Sequence, residues 1–259
     1  MSATAGPFAP ELTVNADGGV RIVTMNRPEA LNAVNQRLHA ALARVWRHLA
    51  DDEEARCVVL TGAGKAFSAG GDIEMIQSFQ ADHEARRASL EEAAVIVTEM
   101  IRFPLPVVAA VNGAAVGLGC SLAVLCDIVY IGESAYFADP HVSVGLTAGD
   151  GGAPAWPVFV NLLRAKEYIF TGDRIPAAEA VSLGIANRVV PDGDLMDTAL
   201  AMAQRLAAQP IQALRSTKQV MNMHLARAVT GPLEFALSAE YNSFDTPEHR
   251  AFVERFLER

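Results

Sequence analysis

The run PLPVVAAVNGAAVGLGCSLAVLCD, residues 104–127, opens on a β-branched apolar segment (Val107, Val108, Val111), crosses glycines at Gly113, Gly117 and Gly119, and leaves as an apolar segment with helical spacing. That order predicts strand, tight turn and buried helix. Glycine lets the backbone turn sharply and lets a ligand approach the peptide groups, and a helix beginning near Leu118 leaves its first N–H groups without intrahelical partners. Such an end attracts negative charge. A strand-to-helix turn without chemistry carries the same local signature.

On the N-terminal side, residues 56–61 (RCVVLT) read as another buried strand, and FSAGGDI (67–73) as a second glycine turn that leads into a helix. The intervening Gly62-Ala63-Gly64-Lys65 is not a phosphate-binding loop, because Ala66 stands where Ser or Thr is needed and the earlier glycine is missing. Residues 12–14 and 20–25 form a hairpin signal around Ala16-Asp17-Gly18-Gly19. An amphipathic helix is expected over 35–50, with Leu38, Leu42, Val45 and Leu49 on one face. His39 and His48 fall within it and read as ordinary helix residues, since neither keeps metal spacing with a second ligand. A charged helix over 83–102 stops at Pro104 and Pro106.

Beyond the opening run, strands are expected at 128–131, 135–138 and 187–190, with a polar glycine-rich loop at 139–152. Helices are expected at 194–207, 210–224, 232–243 and 247–258. Strands alternating with helices, then helices alone, predict an α/β core over 1–195 and a helical oligomerisation region over 196–259.

A chain of 259 residues that is 51% hydrophobic can bury a large core, so disorder is not expected. Its formal charge of -9 argues against a nucleic-acid or anionic-membrane surface. Cys57, Cys120 and Cys126 each sit in an apolar run, which predicts reduced core thiols and a cytoplasmic setting. MSATAGPFAP shows neither a basic flank nor an apolar targeting core, and no stretch reaches a membrane span.

If the turns at Gly70-Gly71 and Gly117-Leu118-Gly119 each aim one N–H at the same oxygen, they form an oxyanion hole. Loss of one such donor typically costs about 2.7 to 4 kcal/mol. Spacing alone does not bring the turns together.

KAFSAGGDI (65–73) and VNGAAVGLGCSLAVLCDI (111–128) resemble the two signature stretches of the enoyl-CoA hydratase/isomerase, or crotonase, superfamily. The resemblance extends to MNRPEALNAVN (25–35), FTGDRIPAAEAVSLGIANRVV (170–190) and PEHRAFVERFLER at the C-terminus. It implies a crotonase-like spiral of ββα units and a C-terminal α-helical trimerisation region, in a homotrimer or a dimer of trimers. It also implies an acyl-CoA thioester as ligand, with coenzyme A as part of the substrate and no tightly bound cofactor, in the setting of fatty acid metabolism. By the same resemblance Gly71 and Leu118 supply the oxyanion donors. Ala30, Leu31, Ala69, Asp72 and Ile73 line the CoA channel, and Lys218 meets a CoA phosphate or is a solvated helix lysine.

Hydratases of this family use two glutamates, at positions that hold Ser121 and His141 in this chain. Hydration by paired glutamates is therefore not expected. His141 and Asp150 instead share the glycine-rich loop, where a carboxylate beside an imidazole would make His141 a base near neutral pH. The loop resembles that of β-diketone hydrolases, in which a His/Asp pair activates water, and Glu240 is a further match. The alternative for the pair is that His141 hydrogen-bonds within the loop while Asp150 caps the next helix. Gly119-Cys120-Ser121-Leu122-Ala123 also resembles a nucleophile elbow with Ala123 in the place of its glycine, which would make Ser121 the nucleophile of a triad.

Trp156, Tyr136 and Phe137 are candidates for an acyl pocket or for packing. No metal cluster or dinucleotide fingerprint is found. Three functions stay open: an acyl-CoA lyase or isomerase, a carbon-carbon bond hydrolase of β-diketones or β-ketoacyl compounds, and a CoA-binding protein without turnover.

Overall fold

The computed structural model describes residues 7–258, so most of the stretch read for a targeting segment lies outside the described residues. Strands β1 (Leu12–Asp17) and β2 (Val20–Met25) form the expected antiparallel hairpin. Helix α1 (Gln36–Ala50) starts where the Asn35 side chain accepts a hydrogen bond from Leu38 N–H at 2.9 Å. Then come three units of two strands and helix. The first is β3 (Cys57–Gly62), β4 (Ala66–Ser68), α2 (Ile73–Ser78) and α3 (His83–Arg102). The second is β5 (Val107–Val111), β6 (Ala114–Val116) and α4 (Leu118–Val124). The third is β7 (Ile128–Gly132), β8 (Tyr136–Ala138), α5 (Gly152–Phe159) and α6 (Leu162–Thr171). The chain closes with β9 (Ile175–Pro176), α7 (Ala177–Leu183), β10 (Arg188–Val190), α8 (Leu195–Ala207), α9 (Ile211–Ser243) and α10 (Pro247–Leu257).

Each unit sends its first strand to one sheet and its second to another, which is what makes the chain spiral. The larger sheet has the order β1-β2-β3-β5-β7-β10 and is parallel from β2 onward; the smaller has the order β4-β6-β8-β9. β3 and β5 are buried along their whole length, so they read as unbroken apolar runs rather than alternating ones. Val59, Val108 and Ala110 face α8, while Val58, Leu60, Ala109 and Val111 face the main core with Leu38 and Trp46 of α1. Successive units stack closely enough that a Cβ on Gly113 would strike the Lys65 carbonyl and lie 2.9 Å from Ala66 Cα. Glycine is required there for close approach.

Two readings change. The three-residue strands β4 and β6 lie inside segments that read as turns, because so short an apolar run carries no period of its own. The helices expected at 210–224 and 232–243 are one helix, α9, running 33 residues through Pro232. Leu225, Val229, Leu233 and Leu237 bury a continuous stripe on it, and that packing outweighs the single hydrogen bond proline removes. Among the described residues no helix is long and apolar enough to cross a membrane.

Candidate active site

The first glycine turn is stitched to the loop before α1. Val34 N–H donates to Gly70 O at 2.7 Å and Asp72 N–H donates to Val34 O at 3.1 Å. Gly71 lies between, so its N–H points to the opposite side, where it has no acceptor among the described residues. In the second turn Gly117 adopts φ 52° and ψ -122°, a conformation open essentially to glycine. Ser121 N–H makes the first helical bond to Gly117 O at 3.0 Å, leaving Leu118 N–H at the first position of α4 without an acceptor among the described residues. The turns touch: a Cβ on Gly70 would lie 3.0 Å from Val116 O, and one on Gly117 would lie 3.9 Å from Gly70 Cα. Gly71 and Leu118 both line one cavity of about 290 Å³.

The same cavity exposes His141, Asp150 and Glu240. His141 Nδ1 donates to Asp139 Oδ1 at 2.5 Å, and its Nε2 lies 3.6 Å from Asp150 Oδ2. Glu240 comes from α9, is 5% exposed and packs on Gly149. Burial alone would push the imidazole down, but the Asp139 and Asp150 carboxylates, with Glu240 beyond them, hold it well above its ordinary value. Burial, reinforced by Asp150 and Asp139 and opposed by His141, pushes the Glu240 carboxyl up to about 8. Burial also raises Asp150, against the pull of His141. The surrounding carboxylates thus favour the charged form of His141, and burial favours the neutral form of Glu240.

That environment favours the charged ring over the free base expected for His141. It also supplies the partner that sequence reasoning missed. Asp139 stands two residues before His141, and Asp139-Pro140-His141 was the available signal, because the turn at Pro140 folds the carboxylate back onto the ring. Asp150 does not cap α5; Gly151 holds that position.

Ser121 is corrected as well. Its hydroxyl donates to Asp150 Oδ1 at 3.4 Å, and it does not line the cavity. Gly151 covers it, a Cβ there falling 3.0 Å from Ser121 Cβ, so no triad with His141 is assembled. Of the expected channel residues, Ala69 and Ile73 line the cavity and Ala30, Leu31 and Asp72 do not. Leu31 is half exposed and its carbonyl accepts from Ala69 N–H at 3.0 Å. Asp72 caps α2 and pairs with Arg27 at 2.8 Å.

Lys218 is neither solvated nor in the cavity. Its buried ammonium donates to Asp127 Oδ2 at 2.6 Å and to Leu105 O at 2.7 Å, so a phosphate would have to displace both. Lys218→Met is expected to lower stability by about 3 kcal/mol, because it strands the Asp127 carboxylate. Coenzyme A affinity should be unchanged; a more than tenfold loss in a calorimetric titration would restore the phosphate contact.

The rest of the wall is apolar, with Ile76, Phe79, Leu146 and Phe244 joined by Phe252 and Phe256 of α10. Tyr136, Phe137 and Trp156 are not part of it: the last two are core, and Arg174 lies over the Tyr136 ring at 4.4 Å. His39 is a residue of α1 as expected, and it is also buried, lines the cavity and meets Glu92 Oε2 through Nδ1 at 2.8 Å. His249 also lines it, with Nδ1 donating to Val144 O at 2.8 Å and burial pushing the ring down. Among the described residues no cluster of three His, Cys or acidic side chains is arranged to hold a metal ion.

Residues 15–259 match a family model described as Enoyl-CoA hydratase/isomerase. The chain is similar to the short-chain-enoyl-CoA hydratase of Clostridium acetobutylicum, with 34% identity over 244 residues, 94% of this chain and 93% of the other. It superposes on the crystal structure of an enoyl-CoA hydratase/isomerase from Mycobacterium paratuberculosis with a TM-score of 0.92 and 53% identity, covering 95% of this chain and 98% of the other. An enoyl-CoA hydratase from Mycobacterium avium subsp. paratuberculosis K-10 gives a TM-score of 0.88 at 28% identity, with 96% of each chain covered.

Proposed function

The chain belongs to the enoyl-CoA hydratase/isomerase family of the crotonase superfamily, and we propose that it adds to or isomerises the double bond of an acyl-CoA thioester through an enolate. What supports this reading most is that Gly71 and Leu118, whose N–H groups have no acceptor among the described residues, line the same cavity as His141 and Glu240. A thioester carbonyl seated on both donors gains negative charge as the enolate forms, and fixed backbone dipoles stabilise that charge without reorganising. Glu240, whose carboxyl burial pushes up to about 8, suits a general acid for the carbon next to the carbonyl. The His141 ring lies between Asp139 and Asp150, which favour its charged form beside the site.

Carboxyl groups thus return to the cavity from positions other than the two that hold Ser121 and His141. The reading needs no tightly bound cofactor, coenzyme A entering as half of the substrate. A hydrolase of β-diketones or β-ketoacyl compounds using the His141–Asp150 pair is the second reading, supported by their 3.6 Å approach on the cavity wall. Exposed Val220, Met221 and Phe235 on α9 favour association of copies, as a trimer or a dimer of trimers.

Calorimetric titration with coenzyme A and acetoacetyl-CoA tests the reading. Both should bind, the thioester more tightly, and crotonyl-CoA should be turned over. Binding of neither ligand would overturn it, and tight binding without turnover would reduce the chain to a CoA-binding protein.

A further inference from the structure

If Glu240 is the acid, the addition still needs a base, and both ring nitrogens of His141 face carboxylates. We infer that His39, oriented by Glu92 across the α1–α3 contact, accepts the proton from the attacking water; this rests on the acyl-CoA reading above. His39 sits on the buried face of α1, 4% exposed, with Nδ1 engaged by Glu92 Oε2 at 2.8 Å. A ring whose Nδ1–H is given to a carboxylate presents the Nε2 lone pair at its other end. That Nε2 has no hydrogen-bond partner among the described residues and, unlike Nε2 of His249, is not a sealed buried atom. The residue lines the same cavity as Gly71, Leu118 and Glu240.

Carboxylate surroundings divide the two histidines. His141 meets Asp139 and Asp150 directly, with Glu240 nearby, whereas the only charged group in contact with the His39 ring among the described residues is Glu92 of α3. Asp150 and His141 of the loop and Glu240 of α9 line the same cavity as His39.

The step balances as follows. A water O–H bond breaks, its proton passes to His39 Nε2, and the oxygen bonds to the β-carbon of the enoyl thioester. The π pair moves onto the carbonyl oxygen held by Gly71 and Leu118 N–H. Glu240 then gives its proton to the α-carbon and the enolate reverts to the thioester. His39, now protonated beside Glu92, returns its proton through solvent to the Glu240 carboxylate. An acid–base pair drawn from α9 and α1 thus takes the place of the two missing glutamates.

The test uses the full-length protein with crotonyl-CoA as substrate and acetoacetyl-CoA as binding probe. His39→Gln is expected to lower kcat by roughly 10²–10⁴-fold, with acetoacetyl-CoA affinity within about threefold. Glu92→Gln keeps an acceptor for Nδ1 but not the charge, and should give an intermediate loss. His39→Ala should regain rate, saturably, on addition of imidazole, which a variant that merely packs badly would not do. Unchanged turnover in His39→Gln, or loss of acetoacetyl-CoA affinity in parallel with kcat and no imidazole rescue, overturns the role of His39 alone. Failure of the unsubstituted protein to bind acetoacetyl-CoA overturns the acyl-CoA reading and this inference with it.

Discussion

Glu240→Gln should lower turnover of an enoyl thioester by roughly 10²–10⁴-fold, the range for a positioned proton donor, and erase the alkaline limb of the rate profile. The unsubstituted protein should lose activity above about pH 8, where burial has set the carboxyl to ionise. The same residue predicts a stability effect of definite sign. A carboxyl whose pKa rises on folding, from 4.5 to about 8, binds its proton more tightly in the native state. Its contribution to stability is therefore full below pH 4.5 and declines as pH climbs toward 8. Glutamine cannot ionise, so the variant escapes that decline, which amounts to several kcal/mol at about 1.4 kcal/mol for each pKa unit. Thermal melts at pH 5 and pH 9 measure it: the variant should gain on the parent at pH 9. Parallel melting curves across that range would mean the carboxyl is not proton-bound in the fold, and the acid role would go with it.

Leu118→Pro removes one peptide N–H and little else that the helix needs. Leu118 occupies the first position of α4, where proline's fixed φ is acceptable and its missing N–H breaks no intrahelical bond. If that N–H holds the enolate oxygen, kcat should fall about 10²–10³-fold. Leu118→Ala is the necessary control, because it also empties a buried side-chain position yet keeps the N–H. The alanine variant should be less stable by about 2–5 kcal/mol and lose far less in kcat. Equal kcat in the two variants would show that packing, not the donor, accounts for the loss, and the proposed oxyanion site would fail.

Much of the chain's path was legible before any coordinates. β5 and the turn into α4 announce themselves through valines followed by glycines, and α3 was readable to both ends from its charged sequence and the prolines after it. The loop from β8 to α5 was recognisable as polar, and it does bring His141 beside Asp150. Asp139 was passed over although it is the nearer partner, because which carboxylate meets a ring depends on a turn geometry that residue types do not specify. His39 read as a helix residue because a single histidine on an apolar face carries no signal of its own. Only the packing of α1 on α3 reveals Glu92 beside it and a cavity in front of it. Lys218 was misread for the complementary reason: its partner, Asp127, is 91 residues away in sequence.

By itself the sequence determined the local course of the backbone, including the two glycine turns and the apolar strands that feed them. Steric freedom at a glycine and the period of apolar residues act over a few positions, and a linear reading captures them. Only the tertiary structure decided which carboxylate holds which imidazole, and that α9 brings Glu240 against Gly149 on the wall of the cavity. Those outcomes follow from burial and from distances of a few ångströms between residues remote in the chain, and charge interactions at that range are set by space, not by order.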